Sequence, residues 1–301
     1  MVTTTTNNNE NNIVVSIGTN TEFIVSTSGR ISSLRRYRAL LNRVLNLDVV
    51  YIPLTSHSSD GKVDPQRFAS ALRGISCIGG AISKDIKHSI IPFLDEVEEV
   101  ALKIGSVNTV VVRNGKLKGY NTDALGFERA IIEGISSAAV GPVRTAICYG
   151  YGGVASVVTT VLAKMGVAVY LTGRNGNSIR SRATQLNVQA WSDEQCDLFI
   201  NATPASERPL EEADNFLPAI AGCKIAFDHE MPGAYLAEYC SANNIYHIKG
   251  TAMYYPQMYA QWSLFLEGLV PSVEENIASW IQMAENLSAE EETENKKTRR
   301  I

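Results

Sequence analysis

The stretch RTAICYGYGGVA, residues 144–155, decides the fold. Residues 144–149 read as a strand, and Gly150-Tyr151-Gly152-Gly153-Val154-Ala155 fits the pattern G-x-G-x-x-G/A at the point where a helix opens. Each small residue there has a separate task. Gly150 permits the tight turn, Gly152 lets backbone approach a pyrophosphate, and the small Ala155 lets helix pack on strand. Free N–H groups at the helix start, around Gly153 and Val154, suit phosphates. Downstream, the helix runs to Met165 and apolar strand-like runs follow at 167–171, 197–201, 224–228 and 245–248, alternating with helical stretches. Such alternation implies an α/β unit with a parallel sheet covered on both faces.

The end of the second strand of this unit selects the cofactor. A site for NAD usually holds the ribose 2′-hydroxyl with an acidic residue roughly 20 residues beyond the loop. Here the chain reads Leu171-Thr172-Gly173-Arg174-Asn175 with no carboxylate. A cation suits a 2′-phosphate, so Arg174 points to NADP; the plainer reading of Arg174 is a solvated surface side chain.

Before the glycine loop the pattern differs. Strands are expected at 22–26, 48–53 and 76–83, and a strand pair at 108–113 and 116–120 around the Asn114-Gly115 turn. Helical periodicity places Leu34, Leu41 and Leu45 on one face. Asp64-Pro65 reads as an N-cap followed by proline at the first helical position, with Gly74 ending that helix. Further helices are expected at 90–104 and at 124–133, the latter closed by Gly134 ahead of a small-residue linker at 136–142. The chain ends in helices at 256–267 and 272–287. These readings give two domains: residues 22–122 with 250–288 form an α/β substrate-binding and catalytic domain, and residues 123–249 form a Rossmann-like NADP-binding domain, with a cleft between them. Residues 1–21 and 289–301, polar or densely charged, read as flexible tails.

Composition narrows the function. With 45% apolar and 19% charged residues the 301-residue chain has the make-up of a globular protein large enough for two domains. A net charge of −4 leaves no basic surplus for nucleic acid. No apolar run is long enough to span a membrane. The N-terminus has neither a secretory nor a transit pattern. The five scattered cysteines read as reduced thiols of a cytoplasmic protein. Neither they nor the four histidines show zinc-ligand spacing, so no metal is expected.

The candidate chemistry lies in residues 81–87 (AISKDIK), 105–109 (GSVNT) and 121–127 (NTDALGF). On spacing alone Lys87 is a solvated lysine, and Asn121, Thr122 and Asp123 are an N-cap cluster. Together with IPFLDEV at 91–97, GSVNTVV at 105–111, GYNTDALGF at 119–127, the glycine loop, Asn201-Ala202-Thr203-Pro204 and Gly250-x-x-Met253-x-x-x-Gln257, however, these segments resemble the shikimate/quinate 5-dehydrogenases, in order and spacing, from about Leu47 to Gly268. Ala81 and the segment GTAMYYPQMYAQW look closest to the shikimate dehydrogenase portion of the fungal arom polypeptide. The resemblance implies that Lys87 and Asp123 flank the reacting hydroxyl and exchange its proton, and that Ser32, Ser83, Asn108 and Gln257 bind substrate. It also implies that Asn201, Thr203, Gly250 and Met253 join Gly150, Gly152, Gly153, Val154, Ala155 and Arg174 around NADP. The implied ligand is a hydroxylated cyclohexene or cyclohexane carboxylate, bound by a monomer or homodimer without nucleic acid or membrane.

Departures from the pattern fall at the carboxylate end of the substrate. The family's Ser-x-Ser-Pro loop becomes Ser32-Ser33-Leu34-Arg35, a tyrosine is replaced near Glu230, and a proline is missing at Asp85. Arg30, Arg35 or Arg36 could take over the lost carboxylate contacts. Two functions stay open at this point: an NADP enzyme acting on shikimate, quinate or an amino or deoxy analogue, and a non-catalytic metabolite sensor. Survival of both Lys87 and Asp123 favours the enzyme, because a pure binder has no use for a proton-transfer pair.

Overall fold

Two six-stranded sheets, each with helices on both sides, account for the apolar pattern of the chain. A computed structural model describes residues 21–27, 31–53, 63–83, 86–229 and 234–298. The first sheet is built from β1 (Glu22–Ser26), β2 (Val49–Pro53), β3 (Cys77–Ala81), β4 (Glu96–Val97), β5 (Thr109–Arg113) and β6 (Lys116–Tyr120), in the order β2-β1-β3-β5-β6-β4. It is mixed: β1 runs parallel to β2 and β3, while β5 is antiparallel to β3 and β6. Asn114 and Gly115, both at positive φ (51° and 74°), make the β5–β6 hairpin that their sequence announces.

The second sheet contains β7 (Thr145–Tyr149), β8 (Ala168–Thr172), β9 (Gln189–Ala190), β10 (Leu198–Asn201), β11 (Ile225–Asp228) and β12 (Tyr246–Ile248), ordered β12-β11-β10-β7-β8-β9 and parallel throughout. This is the doubly wound order, whose switch point lies between β7 and β10, where ligands sit at the carboxyl ends of the strands. Both faces are covered, which is why β7 is apolar at every position after Thr145. Ala146 and Cys148 join one core and Ile147 and Tyr149 the other.

The helices are α1 (Ile31–Arg38), continuing as a π-turn over Ala39–Val44, then α2 (Pro65–Gly74), α3 (Glu99–Ile104), α4 (Thr122–Ala138), α5 (Gly153–Lys164), α6 (Gly176–Leu186), α7 (Phe216–Ile220), α8 (Ala234–Ala242), α9 (Thr251–Leu266) and α10 (Val273–Thr298). Asp64 caps α2 as its sequence implies, accepting from the Arg67 N–H at 2.8 Å. Helices α4 and α9 tie the two sheets together. Ala124, Phe127 and Met253 belong to the core beside the second sheet, whereas Met258, Trp262 and Phe265 on the later turns of α9 belong to a core under the first.

Four local expectations give way. Residues 90–104 form no single helix: Pro92 sits in a 3-10 turn (Ile91–Phe93), and Asp95 then accepts from Leu117 N–H and Arg73, pulling the chain into β4 before α3 begins. Gly134 does not end α4. It lies inside, where a Cβ would come within 2.1 Å of Ile248 Cδ1, so it is glycine for close packing on β12. Helix α9 starts at Thr251 rather than Pro256, because Met253 on the added first turn is buried against α4. Helix α10 continues to Thr298, beyond the expected start of a tail at 289, and Glu285, Glu291 and Glu292 on it pair with Arg36, Arg43 and Arg35.

Candidate active site

The site begins with two loops that the first sheet brings together. Ile86 and Ile90 bury one side of a turn between β3 and α3, and the Val107 N–H donates to the Lys87 carbonyl at 2.8 Å. That anchorage directs the Lys87 side chain toward the N-terminus of α4. There Asn121 is the N-cap, accepting from Ala124 N–H, and Asp123 is in the first turn. A carboxylate at that position is favoured by the helix dipole. Lys87 Nζ lies 2.6 Å from Asp123 Oδ2, with the two side chains 23% and 17% exposed. Burial alone would raise the Asp123 carboxyl pKa. The Lys87 ammonium, the Asn108 hydrogen bond and the nearby His229 outweigh it and hold the carboxyl below its ordinary value.

Asn108 lies beside this pair. Its side chain is buried and fully engaged: Nδ2 donates to Asp123 Oδ1 and Thr122 Oγ1 (both 2.9 Å), and Oδ1 accepts from Thr122 N–H and Thr109 Oγ1. In this arrangement Asn108 ties the carboxylate of Asp123 to the first turn of α4. Gln261, not anticipated from the sequence, braces this strand by donating to Thr109 Oγ1 at 2.8 Å and to the Asn108 carbonyl. Ser83 lies beside them, since the neighbouring Ile82 N–H donates to the Asn108 carbonyl. Its Oγ accepts from Thr27 Oγ1 at 2.9 Å, which leaves the Ser83 hydroxyl hydrogen available. Thr27, at the end of β1, is a second residue that spacing did not reveal.

Gln257 reaches the site through a notch. A Cβ at Gly126, one turn after Asp123, would fall 2.6 Å from the Met253 carbonyl and 2.7 Å from Gln257 Cβ. Only glycine allows α4 and α9 so close, and that closeness sets Gln257 beside the helix that carries Asp123. Gly250, by contrast, caps α9 and Met253 is buried in its packing, so both support this crossing through the backbone and core.

The glycine loop has the shape its sequence requires. Gly150 has φ 125°, reachable only by glycine, and a Cβ there would strike Thr203 Cγ2 at 2.7 Å. Gly152 has nothing within 4 Å of where its Cβ would stand, Val154 and Ala155 lead into α5, and α5 has no side-chain cap. An open approach to uncapped N–H groups fits a pyrophosphate. Arg174 stands exposed in the turn between β8 and α6, whose N-cap is Asn175, with no carboxylate beside it in the chain. Asn201 stands behind the glycine loop. It is fully buried, donates to Ser206 Oγ and Asp228 Oδ1 and accepts from Thr203 N–H and Oγ1. It holds Thr203, whose hydroxyl accepts from Ala205 N–H, against Gly150.

Two of the three arginines that could take over the carboxylate end are engaged elsewhere. Arg36 Nη1 is 2.9 Å from Glu285 Oε1, and its Nη2 donates to the hydroxyls of Tyr37 and Tyr254. Arg35 faces Glu292 at 3.7 Å. Both guanidinium groups therefore fasten α10 to α1. Ser32 lies in the first turn of α1, but its side chain, like Arg30, Asp85 and Glu230, is outside the described residues. A groove of about 1690 Å³ along α4, α5, α9 and α10 touches neither Lys87 nor Asp123 nor the glycine loop. The described cysteines are all buried and free, and burial pushes Cys148, Cys223 and Cys240 up to about 12, which makes them inert. Among the described residues no cluster could hold a metal, and no helix is long and apolar enough to cross a membrane.

No family model matches the chain. Among curated proteins, it is 34% identical over 184 residues to the shikimate dehydrogenase (NADP(+)) of Desulforamulus reducens, a match covering 55% of this chain and 60% of that protein. A shikimate dehydrogenase-like protein of Haemophilus influenzae is 27% identical over 262 residues, covering 83% of this chain and 92% of the other. The matches span about three-fifths of the first curated relatives, 60% and 58% of their lengths. Among solved structures, shikimate 5-dehydrogenase from Thermus thermophilus, in complex with NADP(H) and shikimate, superposes with a TM-score of 0.67 at 24% identity, over 89% of this chain and 99% of that one.

Proposed function

We propose that this chain is an NADP-dependent oxidoreductase of the shikimate/quinate 5-dehydrogenase family, a reading that its likeness to curated shikimate dehydrogenases supports. It interconverts the alcohol and ketone of a hydroxylated ring carboxylate: shikimate and 3-dehydroshikimate, or quinate and its ketone. One observation carries this reading, the Lys87–Asp123 pair at 2.6 Å with Asn108 on the other carboxylate oxygen. The bound nicotinamide supplies or receives the hydride. The chain's own residues handle the proton: Lys87 Nζ takes it from the hydroxyl or returns it to the ketone oxygen, and Asp123 orients the amine and balances its charge. Asn108 keeps Asp123 turned toward Lys87, while Ser83 and Gln257 offer hydrogen bonds to ring hydroxyls.

In this reading residues 22–122 with 250–288 hold the substrate, and residues 123–249 hold the cofactor, with its pyrophosphate at Gly152 and its 2′-phosphate at Arg174. A cytoplasmic place and a monomeric or homodimeric state belong to the same proposal. The catalytic reading is preferred to the sensor because the relatives are named as dehydrogenases and the proton-transfer pair is intact. A panel of shikimate, quinate and their dehydro forms with NADP(H) and NAD(H), followed by nicotinamide absorbance, tests it. Turnover with NADP is expected; a protein that binds these acids but turns over none of them is a sensor.

A further inference from the structure

His88 follows the site lysine and has no part in the mechanism above. Its ring is anchored at one nitrogen and faces the glycine loop with the other. Nδ1 is hydrogen-bonded to the carbonyl of Gly105, which closes α3 in the left-handed conformation (φ 69°). On the far side, a Cβ placed on Gly153 would lie 3.4 Å from Nε2. Gly153 is the first residue of α5 and is not among the residues at positive φ. A Cβ there would meet the ring at ordinary contact distance, so the imidazole lies against the first turn of α5, beside the open approach at Gly152. The dipeptide Lys87-His88 thus reaches both halves of the site, with the amine on Asp123 and the imidazole on the glycine loop.

The chemistry of the ring follows from its anchor. A carbonyl oxygen only accepts, so Nδ1 carries the hydrogen. In the neutral ring Nε2 is then a lone pair, which repels an anion; in the imidazolium it is an N–H donor. We propose that His88 is a further cofactor-binding residue, whose imidazolium Nε2–H donates to a pyrophosphate oxygen at the start of α5, so that binding takes up a proton at this ring. The inference rests on the glycine loop being the dinucleotide site, as proposed above. Among the described residues, the charged groups of the neighbouring elements have partners of their own. Lys87 on its own turn is paired with Asp123, which His229 also faces, and Lys103 on α3 is paired with Glu99. The glycine loop and first turns of α5, residues 150–158, contain no charged side chain and Tyr151 as their one titratable group. Arg182 on α6 reaches the same turn from the other flank, through Ser156 Oγ at 2.5 Å, and the imidazolium is a cation placed to meet the phosphates from the side of Lys87.

Isothermal titration of the whole protein with NADP, in buffers of different ionisation enthalpy, reads both affinity and proton uptake. His88→Asn keeps an amide N–H for the Gly105 carbonyl and has nothing at the Nε2 position; His88→Gln offers an uncharged amide there. The 2′-phosphate of NADP titrates equally in all three proteins, so differences between them belong to the ring. Wild type should take up more protons on binding NADP than either variant does. Its affinity should fall more steeply as pH rises. His88→Asn should bind about tenfold more weakly, the loss of one charge-assisted hydrogen bond, and His88→Gln should fall between. Equal uptake and equal affinity in wild type and His88→Asn would overturn the inference and leave the cofactor reading standing. A wild-type protein that fails to bind NADP would overturn both.

Discussion

Replacing Lys87 with methionine removes the ammonium and keeps most of the side-chain volume, which makes it the sharpest single perturbation of the site. Asp123 would retain its Asn108 hydrogen bond and its place in the first turn of α4 while losing the partner 2.6 Å away. Stripping one member from a fully buried ion pair destabilises by about 3–5 kcal/mol. Here the side chains keep 23% and 17% of their surface in solvent, so a loss of about 2 kcal/mol is the reasonable expectation. At roughly 2–4 °C per kcal/mol for a chain of this size, melting should fall by about 4–8 °C. The sign of the pH dependence is also set. In wild type the Asp123 pKa is depressed in the fold, so its contribution is present above about pH 4 and is lost as pH falls through the folded value. Without Lys87 the remaining burial pushes that pKa up, so the stability gap to wild type should narrow on acidification as Asp123 takes a proton. Turnover should drop roughly 100-fold or more, the contribution of a positioned acid–base group, while NADP binding persists. Thermal melts at neutral and acid pH, with steady-state rates, read both effects. A variant that turns over like wild type, or a stability gap that widens in acid, would refute the reasoning.

Other expectations follow from the same geometry. Arg174→Ala should raise the KM for NADP by roughly 10–100-fold and leave that for NAD nearly unchanged, since only the 2′-phosphate contact is lost; equal effects on both cofactors would remove Arg174 from that role. Gly126→Ala puts a methyl 2.6 Å from the Met253 carbonyl, so α9 must shift. About 1–3 kcal/mol of stability should be lost, with a rise in substrate KM as Gln257 moves, measurable by melting and kinetics. Gly134→Ala should destabilise comparably through Ile248, and Ile248→Ala in the same chain should restore most of the loss, a non-additivity that a double-mutant cycle detects.

The nucleotide half of the fold was readable because its signals are local. A strand, three small residues at fixed spacing and a helix start occupy twelve consecutive positions, and the β-branched runs that follow need no partner to be recognised. The Lys87 and Asp123 positions were readable only by resemblance, since a lysine in a turn and an aspartate at a helix start have ordinary explanations. What stayed hidden depends on residues far apart in the chain. Gly126 and Gly134 look like helix breakers until α9 and β12 are seen against them. Gln261 and Thr27 act across 152 and 56 positions on Thr109 and Ser83. Asn108 and Asn201 carry the right amide at the right place, and only the folded structure shows which neighbouring protein groups each also holds. Arg36 was open to the role of carboxylate ligand until Glu285, 249 positions away, was found to occupy it.

The central claim is that Lys87 exchanges the proton of a ring alcohol while its carbinol hydrogen passes to NADP. It is tested most directly by shikimate and quinate deuterated at the carbinol carbon, with label in the nicotinamide followed by NMR for wild type and Lys87→Met. Wild type should pass deuterium to NADP from at least one of these acids, and Lys87→Met should do so roughly 100-fold more slowly or worse. Label transfer by Lys87→Met at the wild-type rate, or none by wild type from either acid, would contradict the account.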